Sequence, residues 1–495
     1  MRSRYGMDLT EGSIFKKMII FCIPVILTSI LQQLFNTADQ IVAGRLIGDN
    51  ALASVGSTST LYNLLINFFI GLSTGTTVTC AKHKGAGNDR KVTNSVSTGI
   101  SLALISGAII FTVGQAFCRQ LLVATAVPSY LENFAALYMR VIFIGTPFQL
   151  LYNFSAGILR ASGDTKRPLY ILTAAGMVNV ALNLILVLIL PESMGDKRVI
   201  GVAIGTVASH LFSSVTVLSI LIRSSDCFRL ELKKLKIHKE HLFEILKVGM
   251  PAGISSVAFS MANVVIQSNV NMYASREALN YGIRYSSYQG INAAAGGALS
   301  SAKEPFKAGV VVSGIHAANN IDSYLSLMIA GWAVGVVSFT GQNYGAKKYG
   351  RIDKTVICAM TLAVIALSIP AIPLLIDSKL FLSIFTETES AIRFGSMKVS
   401  LLAWAYALYI PLDMLGAALR GVEHSTVPLA LNLIFVFGAR LIWVFFFYPL
   451  DPTLTMLYVA YPLSWGLSSV AHFIAYLTVR RKLRKNLPEE AVQNS

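Results

Sequence analysis

One carboxylate stands apart in the N-terminal part of the chain. Asp39, in LQQLFNTADQIVAG (31–44), ends a run of apolar and weakly polar residues that begins at Met18 and holds no other charge. A helix of that length crosses a bilayer. An ionised side chain inside it costs on the order of 2.5–3.5 kcal/mol or more, so such a residue is paired or has a task. Two readings fit. Desolvation favours the neutral acid while hydrogen bonds from amides or hydroxyls favour the anion, so a carboxylate there can take up and release a proton as its surroundings change. The competing reading is an Asp capping a helix near the outer interface, in water.

The rest of the chain shows what must hold Asp39. Of 495 residues, 54% are hydrophobic and 13% charged, with mean hydropathy +0.60. Soluble domains carry roughly twice that charged fraction. Apolar runs of spanning length recur from end to end without the alternation of barrel strands, so the expected fold is an all-α polytopic membrane protein. The first run is too long for a secretion signal and lacks a cleavage site, which makes it a retained helix. The net charge of +16 would suggest nucleic acid in a soluble protein, but here it sits in short loops between spans. Five scattered cysteines form no CxxC pair, so neither a disulfide framework nor a zinc site is indicated.

Helices are expected at 16–42, 51–80, 94–118, 131–157, 167–189, 199–222, 243–272, 314–341, 352–376, 391–418, 427–448 and 455–480. Twelve spans put both termini on one side. The tails and loops of that side hold 28 of the 41 Lys and Arg, the alternate loops hold 11, and Arg140 and Arg440 lie within spans. That bias makes both termini cytoplasmic. The most charged stretch, 223–247, reads as a cytoplasmic linker between an N-terminal lobe (1–222) and a C-terminal lobe (248–495). Its HKEH (238–241) is not HExxH and reads as a solvated interfacial helix rather than a metal site.

The two halves repeat. GILRASGDTKRPL (157–169) aligns with AALRGVEHSTVPL (417–429) at an offset of 260, and KGAG (84–87) meets YGAK (344–347) at the same offset. Pro24 pairs with Pro251 at an offset of 227, so 33 residues are inserted in the second half, within about 276–313. By topology that insertion faces outward, as a loop expansion or as a cap on the cleft mouth. Six helices separate the repeats, which therefore run in parallel, a transporter signature. GLSTG (71–75) satisfies GxSxG but lies inside a span, where small residues let helices pack closely. GVVVSG (309–314) lacks the ending of a phosphate loop, and no carboxylate pair or Ser/His/Asp cluster stands out. An enzyme is not expected.

Several motifs together carry a resemblance: IPVILTSILQQLFNTADQIVAGRLIG (23–48), LRASGDTKRP (159–168), VNVALN (178–183), VGMPAGISSV (248–257), FTGQNYGAKKYGR (339–351) and LDMLGAALRG (412–421). The sequence resembles the multidrug and toxic compound extrusion (MATE) family, in its bacterial DinF-like branch, over nearly the whole chain. The resemblance implies twelve helices in two pseudo-symmetric six-helix bundles around a central cleft. It also implies a monomeric antiporter of the bacterial cytoplasmic membrane, exporting amphipathic organic cations in exchange for H⁺ or Na⁺ without any other cofactor. A flippase of lipid-linked sugar or peptidoglycan precursors, from the same superfamily, is the alternative. Flippase relatives grip pyrophosphate with several cavity-lining basic residues, whereas only Arg140 and Arg440 are expected within spans here.

Carried over by position, Asp39 matches the family's first-helix coupling carboxylate and Pro24 the proline at which that helix bends. Tyr138, Asn179 and Thr206 match polar positions of the same pocket, with Asn36 beside them. Many relatives have N-x-x-x-D in the fifth helix; Asn183 replaces that acid, leaving one carboxylate and a modest preference for H⁺ over Na⁺. His210, one turn beyond Thr206, is either a proton partner of Asp39 or a merely hydrogen-bonded histidine. In the second half, where some relatives use acids of the seventh and tenth helices, the seventh offers Gln267 but no acid. Asp413 is expected to contact substrate or, slightly favoured, to pair with Arg440.

Overall fold

The computed structural model describes residues 6–124, 129–294, 308–386 and 388–485. Twelve long helices account for almost all of it. They are α1 Ile14–Leu46, α2 Asp49–Gly85, α3 Asp89–Ala124, α4 Ser129–Ser162, α5 Lys166–Ile189 and α6 Val199–Ile222, then α7 Lys239–Ala294, α8 Ala308–Gly345, α9 Tyr349–Ile376, α10 Glu389–Gly421, α11 Thr426–Leu450 and α12 Leu454–Lys485. Eleven are long and apolar enough to cross a membrane. The exception is α12, whose inner face carries Ser464, Ser468, Ser469 and His472, all buried within the bundle. α11 is irregular: π-helical turns at Asn432–Gly438 and Trp443–Phe447 interrupt it on either side of Arg440. Such turns recur at functional sites.

Several helices, α1 and α3 among them, run a few residues beyond the sequence-predicted ends. α7 shows this twice. It begins at Lys239, inside the stretch read as linker, so the connection from α6 ends at residue 238. At its other end it continues as helix to Ala294, into the inserted segment; residues 295–307 lie outside the described residues, and 308–313 already belong to α8. The connection is strapped to α3, with the Lys236 N–H donating to Ser97 Oγ (2.9 Å) and the Thr93 hydroxyl to the Cys227 carbonyl (2.9 Å).

The halves exchange partners: α1 packs on α8, and α7 on α2. Glycines make the crossings close. A Cβ on Gly71 would lie 2.4 Å from Gly253 Cα, and one on Gly75 would lie 2.2 Å from the Ile245 carbonyl oxygen. The apparent GxSxG is thus a packing seam between helices.

The first and last described residues, from Gly6 and up to Lys485, and the linker lie at one end of the bundle. There Arg480 and Arg484 of α12 pair with Asp353 of α9 (2.8 and 2.7 Å), and Gln342 of α8 accepts the Leu9 N–H (2.9 Å). At this end the lobes are closed on each other. A Cβ on Gly85 would sit 1.8 Å from the Gln342 carbonyl oxygen, and Lys82 of α2 bridges Glu244 of α7 (2.8 Å) and Glu423, just past α10 (2.6 Å). His241 is buried here rather than solvated: it and His83 of α2 flank Glu244, at 3.4 and 2.8 Å. His241 therefore belongs to an inter-lobe ion-pair cluster, while Lys239 and Glu240 of the same HKEH segment stay exposed, as a solvated helix face requires. The ligand atoms of His83, His241 and Glu244 lie within 4.8 Å of one another, but Lys82 holds the other Glu244 oxygen and occupies the cationic position.

Candidate ion-coupling and substrate site

Asp39 sits in the seventh turn of α1 and is buried. Pro24 lies in the same helix, which stays continuous past it; the Pro24 carbonyl accepts the Thr28 hydroxyl at 2.7 Å. Proline leaves the backbone one hydrogen bond short at that turn. α5 and α6 supply the partners of Asp39. The Asn183 amide donates to Asp39 Oδ1 at 2.5 Å, and Thr206 Oγ1 lies 3.2 Å from Asp39 Oδ2. Asn179 donates to the Thr206 hydroxyl at 3.3 Å, completing the shell. The helix spacing explains the convergence: Asn179 and Asn183 are four residues apart and share one face of α5. Gly205 makes room for them, since a Cβ there would lie 2.0 Å from Asn183 Oδ1.

A cavity of about 350 Å³ opens beside Asp39, lined among others by Asn36, Tyr138, Asn179, Thr206 and His210. The sequence-derived N-lobe residues are therefore brought together, with Asn183 behind the carboxylate. Capping in open water does not describe Asp39. Among the described residues, no Lys or Arg lines this cavity. His210 faces the cavity without a hydrogen bond to Asp39 among the described residues. Tyr62 and Gln149, which the sequence reading missed, hydrogen bond to each other across the same cavity.

The C-terminal lobe departs from expectation. Asp413 pairs with Arg420 at 3.5 Å, not with Arg440. They lie seven residues apart on α10, two helical turns, so both are on one face. Arg440 is fully buried, donates to Asn263 Oδ1 (2.6 Å) and Ser464 Oγ (3.1 Å), and stacks 4.1 Å from the Tyr461 ring centroid. Neutral oxygens and an aromatic face thus take the role assigned to an acid. Gln267 joins a separate network: it accepts from Asn319 (3.3 Å), whose Oδ1 accepts from Lys398. Buried Lys398 also lies 3.5 Å from Asp322, to which Tyr406 donates. Asp322 and Lys398 had no family position to mark them, and Lys398 counts among outer-loop charges in a simple tally.

A second cavity, about 460 Å³, lies between the lobes and is lined by residues of α2, α4, α7, α8, α10 and α11. Asp413, Arg420 and Arg160 all line it. The cleft therefore holds fixed cations other than the two expected ones; Arg160 and Arg420 sit in the last turns of α4 and α10 and read as loop residues in sequence.

A family model described as MatE matches residues 24–185 and 308–445. The chain belongs to the MATE family. Among curated relatives, the probable multidrug resistance protein YoeA of Bacillus subtilis is 23% identical over 436 residues, covering 87% of this chain and 86% of its own. The multidrug export protein MepA of Staphylococcus saprophyticus is 26% identical over 278 residues, 56% of this chain and 60% of its own. Among solved structures, a MATE protein in the straight conformation superposes with TM-score 0.83 at 20% identity, covering 98% of this chain and all of that one. A transporter described as having a reversed binding-pocket polarity, from Pyrococcus furiosus, superposes with TM-score 0.82 at 20% identity, over 98% and 100%. As a MATE chain this is a multi-pass membrane transporter of small molecules rather than an enzyme.

Proposed function

We propose that the chain is a secondary active antiporter of the bacterial cytoplasmic membrane. It exports organic, amphipathic and cationic solutes in exchange for H⁺ or Na⁺, with Asp39 carrying the coupling ion. The observation behind this is the Asp39 shell: a buried carboxylate held by neutral donors from two other helices, beside a cavity that no Lys or Arg lines among the described residues. Neutralising Asp39 removes a charge whose burial is costly and loosens its grip on Asn183 and Thr206. α1 is then free to bend at Pro24, where its backbone bonding is already incomplete. Names of relatives as multidrug resistance and export proteins support an efflux role. With both termini cytoplasmic, the closed end of the bundle is the cytoplasmic one, and this conformation presents the cleft outward. The protein acts as a monomer.

Everted vesicles loaded by imposed pH or Na⁺ gradients test this directly. Cationic dye should move under at least one gradient in the wild type and under neither in Asp39→Asn. Gradient-driven transport by Asp39→Asn at near wild-type rate would place coupling elsewhere. Flipping of lipid-linked precursors is the second reading, favoured by the arginines of the inter-lobe cavity; preferential movement of lipid-linked phosphates would establish it over dye export.

A further inference from the structure

The inter-lobe cavity contains an arginine with no acid to balance it. Arg420 has Asp413 at 3.5 Å, but its repeat counterpart Arg160 has no ion pair among the described residues, and its buried Nε has no hydrogen-bond partner. Both guanidinium groups line the same cavity of about 460 Å³, a ligand-sized space. The cavity thus holds two cations and one carboxylate. A guanidinium with a buried, unpartnered nitrogen is costly to hold away from water, and an anion removes that cost.

The rest of the cavity describes what accompanies that anion. Phe259 and Tyr409 offer aromatic surface, while Ser255, Ser256 and Asn432 offer hydroxyl and amide groups. The Asp39 cavity adjoins it, because Asn67 and Ile70 line both. Two neighbouring spaces therefore carry opposite fixed charge, one with Asp39 and, among the described residues, no Lys or Arg, the other with an uncompensated Arg160. We propose that Arg160 docks a carboxylate of the transported solute, so that the preferred substrates are amphipathic zwitterions whose cationic part points toward the Asp39 cavity. The guanidinium fork matches a carboxylate in a bidentate pair, which lysine cannot reproduce. This substrate class rests on the transport reading above, and Arg160 becomes a specificity-determining residue within it.

A matched dye pair separates the charge from the hydrophobic body. Rhodamine B is a xanthylium cation bearing a benzoate; its ethyl ester keeps the cation and loses the anion. Equilibrium binding of each is measured on purified protein in nanodiscs, with empty nanodiscs subtracted. The wild type should bind the acid at least as tightly as the ester. Arg160→Gln should lower the acid-to-ester affinity ratio about tenfold, the scale of a charge-assisted hydrogen bond. Arg160→Lys, which keeps the charge and the fold but loses the fork, should lower it by a smaller factor. An unchanged ratio in both variants, equal loss of both dyes, or a wild type that binds neither overturns the proposal. Wild-type protein that binds both dyes with the expected ratio, yet moves neither under any ion gradient, would instead refute the transport reading and leave the carboxylate site standing.

Discussion

Asn183 Nδ2 lies 2.5 Å from Asp39 Oδ1, so the fifth helix donates a hydrogen bond to the first-helix acid from the position where many MATE relatives place a second acid. The substitution turns a like-charge repulsion into an attraction. Asp39 keeps its anionic form at lower cost than a bare buried carboxylate would. The pocket then has one carboxylate, with neutral amide and hydroxyl donors around it.

Asp39→Asn should insert and purify normally but lose gradient-driven dye efflux by at least tenfold. Asp39→Glu should retain a fraction of activity with a displaced pH optimum, because its extra methylene disturbs the bonds to Asn183 and Thr206. Asn183→Asp rebuilds a carboxylate pair, and its efflux should become more sensitive to Na⁺. Rates in everted vesicles across pH and Na⁺ concentration check all three.

Gly205→Ala tests the packing behind the site. Its Cβ would fall 2.0 Å from Asn183 Oδ1, so Asn183 must swing away from Asp39. We expect coupled efflux to drop severalfold, with a stability loss of about 1–3 kcal/mol from overpacking. Thermal unfolding and efflux rates, measured on the same preparation, separate the two effects.

Much of this pocket was legible in the sequence because each residue breaks an apolar pattern. Asp39, Asn179, Asn183 and Thr206 are polar groups in runs where lipid tolerates few, and the resemblance marked Asp39, Asn179 and Thr206 by position and Asn183 as a departure. The C-terminal lobe was less legible for a physical reason. Arg440 satisfies itself with Asn263, Ser464 and an aromatic ring, and no charge pattern announces such partners. Arg160 and Arg420 lie at helix ends, where sequence alone places basic residues in a loop, and only tertiary packing turns them into the cleft. The inner polar face of α12 was likewise hidden in an otherwise apolar run.

Lys398 and Asp322 form the C-lobe counterpart of a problem that Asp39 solves with neutral donors. Lys398 is buried, and its Nζ also lies 5.7 Å from the Tyr458 ring centroid. Lys398→Met leaves Asp322 without its cation and should destabilise the protein by on the order of 3 kcal/mol. The double variant Lys398→Met with Asp322→Asn should recover most of that loss. Denaturation midpoints of the single and double variants, compared as a cycle, give the coupling directly. Additive losses would mean that the pair is not linked.

The closed end of the bundle makes the last prediction. Lys82 is shared between Glu244 and Glu423, so one cation from the N-terminal lobe ties down two acids of the C-terminal lobe. Glu244→Gln removes the acid that also engages His83 and His241, and Lys82 keeps Glu423 alone. Charge-assisted bonds of this kind contribute about 1.5–3 kcal/mol when sheltered, less with the partial exposure here. The closed state should therefore lose population to a state open at that end. A cysteine at Gly341, against Ala81 and close to the Gly421 carbonyl, reports it, because its Cβ would lie only 3.0 Å from Ala81 when the lobes are shut. In a background without the native cysteines, its labelling from the cytoplasmic side should rise severalfold in Glu244→Gln. The same reagent should label Lys236→Cys only from the cytoplasmic side and Ser287→Cys only from outside. Labelling of Lys236→Cys by an impermeant reagent in intact cells, with Ser287→Cys silent, would invert the orientation; equal labelling at Gly341 in both backgrounds would show that the ion pairs do not hold this end closed.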